Sequence, residues 1–411
     1  MQTEVVCTEI APDHRIRRID LKRKLHALPP LRKTRILHCV GHLLRGGIEM
    51  GLFNLLTSDS GRAFEHHVLV RTAKEEAFTA EFRAAGIPVH ACTSYRNPVR
   101  YALDLRKLVQ QSGPYDILHV HGSSFSGLLT LAFAKWCGIR WKVVHSHNDV
   151  RPPLANAGRV GRGYVRAVLA AYRWLADSGV AASTLAAESM FGVDWKKDPR
   201  WQLFYYGIDC RPFRKPSDPH LRRELGIPDS ALVLGHVGRF HEQKNHFFLL
   251  DVVEATVRID PSVICLLIGD GPLRAEFANQ VHRRQLDAHF VFVPDTLSVA
   301  AYMTSVMDCF VFPSKYEGLG LVAVEAQAAG LPCILSDRVP AEAIVDPSIV
   351  TVLSLESGVA TWAFAALKAL GGPATSRLHA LQQVEESRFN MTLSASTLAH
   401  LYRQIATQLN A

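Results

Sequence analysis

Residues 309–335 read CFVFPSKYEGLGLVAVEAQAAGLPCIL. The first four residues are apolar throughout, as in a strand buried on both faces. A glycine-rich turn follows Phe312, and helical periodicity begins near Leu319. Pro332–Leu335 then reads as the next strand. Strand, turn, helix and strand in this order make the βαβ unit of a parallel sheet. Glu317 falls in the turn and Glu325 about two turns into the helix. At about 1.5 Å of rise per residue the two carboxylates stand on the order of 12 Å apart. That is wider than the roughly 5–9.5 Å of glycosidase acid/base pairs. The pair suits two ends of an extended ligand, such as a sugar and a ribose. The N–H groups of Gly318, Leu319 and Gly320 would meet phosphates between them. The plain alternative is a helix cap with a chance glutamate downstream.

The same rhythm extends in both directions. Upstream, Leu232–Val237, Val263–Ile268 and Phe290–Val293 read as strands, and Val350–Leu353 follows downstream. A separate series precedes it: Arg35–Val40, His67–Val70, Val89–Cys92, Ile117–Val120 and Trp141–His145, with helical stretches at Ala102–Gln111 and Ser126–Cys137. Between the series, Pro212, Pro216, Pro219 and Pro228 mark a linker with one short helix. The expected class is α/β, with two Rossmann-like doubly wound domains. The boundaries are a basic N-terminal extension at 1–33, a first domain at 34–210, a linker at 211–230, a second domain at 231–388, and a C-terminal helix at 389–411 that crosses back to the first domain.

Bulk properties agree with two cores. The chain has 411 residues, 48% hydrophobic and 20% charged, too long for one compact core and too apolar for disorder. The net charge of +8 favours anionic partners without choosing among them. The charges are dispersed and form no continuous stripe with aromatics, so nucleic acid is not an expected partner. Eight cysteines without a C-x-x-C pair read as reduced thiols. No apolar run approaches a membrane span, and no signal peptide is legible, so a cytoplasmic protein is expected, with peripheral contact at a membrane face an open option.

Four further motifs bear on chemistry. Gly238-Arg239 after a strand, followed by Gln243-Lys244-Asn245, places two cations at the carboxyl end of a parallel strand, where α/β sheets bind ligands. Gly46-Gly47-Ile48-Glu49 after the first strand permits close approach of a phosphate or is a tight turn. His145-Ser146-His147-Asn148-Asp149, with His119 and His121, places histidines at strand ends, as proton-handling groups or solvated loop residues. No third and fourth ligands stand at convincing spacing, so no metal is assigned. Arg159, Arg162, Arg166 and Arg173 form a basic stripe opposite Tyr164, Val165, Val168, Leu169, Tyr172 and Leu175. It reads as an ordinary amphipathic surface helix or as a helix resting on anionic lipid.

In order and register, Gly238–Asn245, Gly269-Asp270-Gly271, Asp308 before Phe-Val-Phe-Pro-Ser, and the E-x7-E pair Glu317/Glu325 resemble glycosyltransferase family 4, retaining enzymes of GT-B fold. The wording of Gly-Gly-Ile-Glu and His-Ser-His-Asn is similar to the capsular and exopolysaccharide members. The resemblance implies a cleft between the domains and a nucleotide-diphosphate sugar, a UDP-sugar, as donor. It implies that Arg239 and Lys244 bind the diphosphate, Glu325 the ribose, and Glu317 the donor sugar with backbone donors from Gly318 to Gly320. Gly47 would approach the diphosphate from the other domain, and His147 would lie near sugar and acceptor. It further implies no permanently bound cofactor or catalytic metal and a glycan or lipid-linked glycan acceptor. Tyr206-Gly207-Ile208 departs from the family's frequent Asn before the glycine. A non-catalytic partner subunit of the same fold is the competing reading, opposed by the intact Arg239, Lys244, Glu317 and Glu325.

Overall fold

The computed structural model describes residues 32–44, 46–151, 158–294, 296, 298–371 and 376–411. The basic extension expected at 1–33 lies outside them but for Arg32 and Lys33. Thirteen strands form two sheets among these residues. The first holds β1 Arg35–Cys39, β2 Glu65–Val70, β3 Val89–Ala91, β4 Ile117–His121, β5 Trp141–Ser146, β6 Ser178–Ala181 and β7 Trp201–Leu203. The second holds β8 Leu232–Val237, β9 Val263–Ile268, β10 Phe290–Val293, β11 Cys309–Phe312, β12 Cys333–Ser336 and β13 Val350–Leu353.

The sheet orders are β3-β2-β1-β4-β5-β6-β7 and β10-β9-β8-β11-β12-β13, and every pairing is parallel. In each, the first strand lies beside the second on one flank and the fourth on the other. That reversal opens a crevice at the carboxyl ends of β1/β4 and β8/β11. The central strands are buried because helices cover both faces; β9 (VICLLI) has no exposed residue. The helices start where the sequence supplies caps. Asn97 accepts from Arg100 N before Pro98–Ser112, with Pro98 in the first turn. Asn390 accepts from Leu393 N before Met391–Asn410.

Two strands were not legible. β6 is Ser-Gly-Val-Ala and β7 only three residues. Small residues in β6 make room for aromatic cover: Phe191 and Trp201 stack at 4.4 Å, and a Cβ on Gly179 would meet the Phe191 ring at 2.9 Å.

The proline-rich segment at 211–230 is not a loose tether. Phe213 and Ile227 are buried in the core of the second half, and Arg222 forks onto Asp308 at 2.7 and 2.8 Å. Asp308 also accepts from Val233 N at 2.8 Å. It therefore fixes the linker to the amino end of the central strands β8 and β11, opposite the strand ends that open the crevice.

The final helix, Met391–Asn410, packs on the first half, as expected. Leu398, Tyr402 and Ile405 are buried with Ile36, Ile117 and Val180. Each such side chain contributes roughly 1.5–3 kcal/mol. Gly207 is where the chain crosses: Ile208 N donates to Phe389 O at 2.9 Å, and a Cβ on Gly207 would sit 2.6 Å from Met391 N. Only glycine admits that backbone approach.

Candidate active site

The ligand crevice is built first from β8. The turn after Val237 is pinned to the turn after β9: Gly238 N donates to Ile268 O, and Phe240 N to Asp270 O. Phe240 is fully buried, so the intervening Arg239 is turned outward and exposed. Gly269 and Gly271 allow this contact, since a Cβ on Gly271 would strike the Phe240 backbone at 2.6 Å. Lys244 ends the 3-10 turn Glu242–Lys244, and Asn245 adopts the left-handed conformation before the helix His246–Val257. The two expected cations thus lie on the turn preceding that helix.

The turn after β11 faces them. Glu317 is 5% exposed, and its Oε1 accepts from Lys244 Nζ at 2.6 Å. Lys244 Nζ also stands 4.6 Å from the centre of the Phe312 ring. Gln243 Nε2 donates to Tyr316 O at 2.9 Å and to Glu317 Oε2 at 3.3 Å, while Lys315 N donates to Gln243 O at 2.8 Å. Gln243 therefore couples the two turns. Its role was not legible, although it stood in the quoted motif. Leu319 is buried in the core, and Gly320 takes a left-handed conformation (φ 83°) as the N-cap of the helix Leu321–Ala328, two residues later than the sequence suggested. Glu325, within that helix, keeps part of its surface, yet burial pushes its carboxyl up to about 7.

The first half closes over this turn. Gly318 abuts the His147 backbone: a Cβ there would overlap the His147 carbonyl and lie 2.6 Å from its carbon. Gly46 caps the helix Gly47–Thr57, and the space around a Cβ at Gly47 is open. Glu49, in its first turn, is pushed up to about 7 by burial and by neighbouring Glu76, against the opposing field of Arg239. Helix Gly47–Thr57 thus comes within electrostatic reach of Arg239 across the cleft. Glu342 Oε1 accepts from Thr184 N at 2.9 Å, a second link between the halves.

The histidines depart from expectation. His119, His121 and His145 lie within β4 and β5, not beyond them, and with His38, His66 and His147 they are buried as one layer. In His38, His119, His145 and His147 burial, then neighbouring histidines, holds the ring well below its usual pKa; burial lowers His66 to about 4 and His121 to about 3. The rings are therefore neutral near pH 7. Two triads, His38/His119/His121 and His121/His145/His147, bring one nitrogen each within 4.8 Å of the others. Their rings do not suit a metal. His145 and His147 stack at 3.9 Å with planes 25° apart, and His119 and His121 at 4.3 Å and 19°. An imidazole binds metal along its in-plane lone pair, and two rings face to face do not aim at one ion.

The structure thus joins Lys244 and Glu317 across the turns after β8 and β11 and sets Gly318 against His147, with Arg239 on the first of these turns, Glu325 on the helix after the second, and Gly47 at the start of a helix of the first half. The matching solved structures have the GT-B fold. HepE of Anabaena, in complex with UDP and glucose, superposes with a TM-score of 0.76 at 19% identity, covering 90% of this chain and 99% of that one. Sucrose-phosphate synthase of Thermosynechococcus elongatus gives 0.74 at 20%, covering 92% and 100%. Residues 217–354 match the family model of glycosyl transferases group 1, and residues 52–199 that of the glycosyl transferase 4-like domain. The putative glycosyltransferase EpsF of Bacillus subtilis is 28% identical over 380 residues, 90% of this chain and 96% of that protein. An Escherichia coli enzyme named UDP-Gal:alpha-D-GlcNAc-diphosphoundecaprenol alpha-1,3-galactosyltransferase is 26% identical over 57% of this chain and 61% of its own. The chain is a glycosyltransferase of the GT4 type.

Proposed function

We propose that the protein moves a sugar, with retention of configuration, from a UDP-sugar to a glycan or lipid-linked glycan acceptor in surface polysaccharide synthesis. The observation that carries this is the Lys244–Glu317 pair, which joins the turn after β8 that bears Arg239 to the turn after β11 that bears Gly318–Gly320 and leads into the helix of Glu325. Cations and turn N–H groups suit a diphosphate, and a carboxylate at each end suits a sugar and a ribose. The donor assignment draws on the UDP in the HepE complex, and the acceptor on the name of the Escherichia coli galactosyltransferase.

Breaking the sugar–phosphate bond puts positive charge on the sugar and negative charge on the departing diphosphate. Arg239 and Lys244 stabilise the latter as fixed charges that need no reorganisation. The Lys244 ammonium has three protons, so it can keep Glu317 while donating to phosphate. The acceptor hydroxyl attacks from the face the diphosphate leaves, and its proton passes to the leaving phosphate oxygen. No enzyme nucleophile and no metal is then required. Contact of His147 with Gly318 excludes water from this point. Helix Arg159–Leu175 turns Val168, Leu169 and Tyr172 into the first half and Arg173 onto Met190 O, and its outer side, with exposed Val160, Trp174, Arg159 and Arg166, suits rest on a cytoplasmic membrane face. No helix among the described residues is long and apolar enough to cross a membrane.

The test is transfer from UDP-sugars in EDTA, with the product's anomeric configuration read by NMR. Retention without added metal supports the reading. Inversion, or loss of turnover restored by a divalent cation, overturns that part of it. Donor binding with no transfer to any glycan supports the non-catalytic alternative.

A further inference from the structure

A continuous file of hydrogen-bonded imidazoles runs from the floor of the first half to the crevice. His66 Nε2 lies 3.0 Å from Gly61 O, and His66 Nδ1 lies 3.1 Å from His38 Nε2. His38 Nδ1 lies 3.1 Å from His121 Nε2, and His121 Nδ1 lies 3.1 Å from His147 Nε2. The ring centres along the file are 5.2, 5.4 and 5.3 Å apart. These separations exceed the N···N distances by about two ring radii, so the rings meet edge to edge, as hydrogen bonding requires. His119 and His145 stack against the file's flanks without joining it, and His119 Nδ1 meets the Tyr402 hydroxyl instead.

The polarity of this file is fixed at its far end. Gly61 O can only accept, so His66 Nε2 carries the proton. A neutral imidazole has one N–H, so His66 Nδ1 is an acceptor and His38 Nε2 must donate to it. The same step passes through His38 and His121. His147 Nε2 must then donate to His121 Nδ1. We infer that this file locks His147 as the Nε2-protonated tautomer, which leaves its Nδ1 as a hydrogen-bond acceptor for a sugar hydroxyl. His66, remote from the crevice, is on this account a positioning residue. The burial that keeps every member neutral preserves the single direction; one charged ring would carry two N–H groups and break it.

The part concerning a sugar hydroxyl rests on the proposed function; the tautomer does not. The full chain labelled with ¹⁵N-histidine is examined by long-range ¹H–¹⁵N NMR without donor or acceptor, with the His147 signals assigned by their loss in His147→Asn. The wild type should show His147 protonated on Nε2 alone. In His66→Leu the anchor is gone and the file is free to reverse, so His147 should shift to a mixture or to the Nδ1 tautomer. His66→Gln keeps one donor and one acceptor in the same order and should restore the wild-type signal. With turnover in hand, His66→Leu should lower kcat with KM for donor unchanged, and His66→Gln should recover it. A wild-type His147 protonated on Nδ1 or on both nitrogens overturns the inference, as does a His66→Leu spectrum unchanged at His147. None of those results touches the donor reading, which a UDP titration of the same sample decides.

Discussion

Replacing Gly318 with alanine isolates the contact between the two halves of the molecule. The change adds one methyl group and meets no barrier of backbone conformation, because Gly318 is not among the positive-φ glycines. Space is the obstacle. The new Cβ would stand 2.6 Å from the His147 carbonyl carbon and 2.9 Å from Asn148 Oδ1. Carbon atoms in contact sit about 3.5–4.0 Å apart, and the His147 carbonyl oxygen lies nearer still and is overlapped outright, so the walls must separate by more than about 1 Å. Overpacking of this size costs about 1–3 kcal/mol. Here the cheapest relief is to open the cleft, since the clash lies between the halves and not within either core. Closure weakened by that amount lowers transfer on the order of 10- to 100-fold. Nucleotide affinity, which the proposed function assigns to Arg239, Lys244 and Glu325 in the second half, should change much less. The assay is steady-state transfer beside calorimetric UDP titration, with thermal unfolding as a fold control. Full transfer by Gly318→Ala would refute the reasoning, because the methyl group would then have found room that the structure denies it.

Four other outcomes follow from the same geometry. Lys244→Ala leaves the buried Glu317 carboxylate unpaired and should destabilise the protein by about 3–5 kcal/mol; adding Glu317→Gln should recover much of that stability in chemical denaturation without restoring transfer. His147→Ala should spare UDP binding and lower transfer; normal transfer removes His147 from the site. Glu49 and Glu325 have folded pKa values raised to about 7 from 4.5, so the folded protein binds more protons than the unfolded chain between those values. Stability without ligand should therefore fall as pH rises from 4.5 to 7, and denaturation midpoints of Glu325→Gln should show a flatter dependence over that window. Tyr402→Phe removes the hydroxyl that meets His119 Nδ1 at 2.6 Å and should cost about 1–3 kcal/mol, read as a lower Tm; an unchanged Tm means the crossing helix does not depend on that bond.

Much of this molecule was legible as pattern. Apolar runs such as Val263–Ile268 and Cys309–Phe312 mark buried parallel strands, and the glycine turns after them mark ligand ends. What escaped depends on register and on contacts between distant segments. β6 carries no β-branched run, because Gly179 must yield space to Phe191. The alternation of His119 with His121 and of His145 with His147 was visible along each strand. Their union into one layer requires the pairing of His121 with His145 across β4 and β5. Gln243 was read as part of a motif, but its partners, Tyr316 and Glu317, lie on another segment and are set by the fold.

In the proposed function the crevice binds a nucleotide diphosphate through Arg239, Lys244 and Glu325. The most direct measurement is calorimetric titration of UDP, GDP and ADP, in EDTA, into the wild type and Glu325→Ala. UDP should bind the wild type selectively and Glu325→Ala markedly more weakly. Equal affinity in the variant, or no binding of any of the three to folded wild-type protein, would contradict that function.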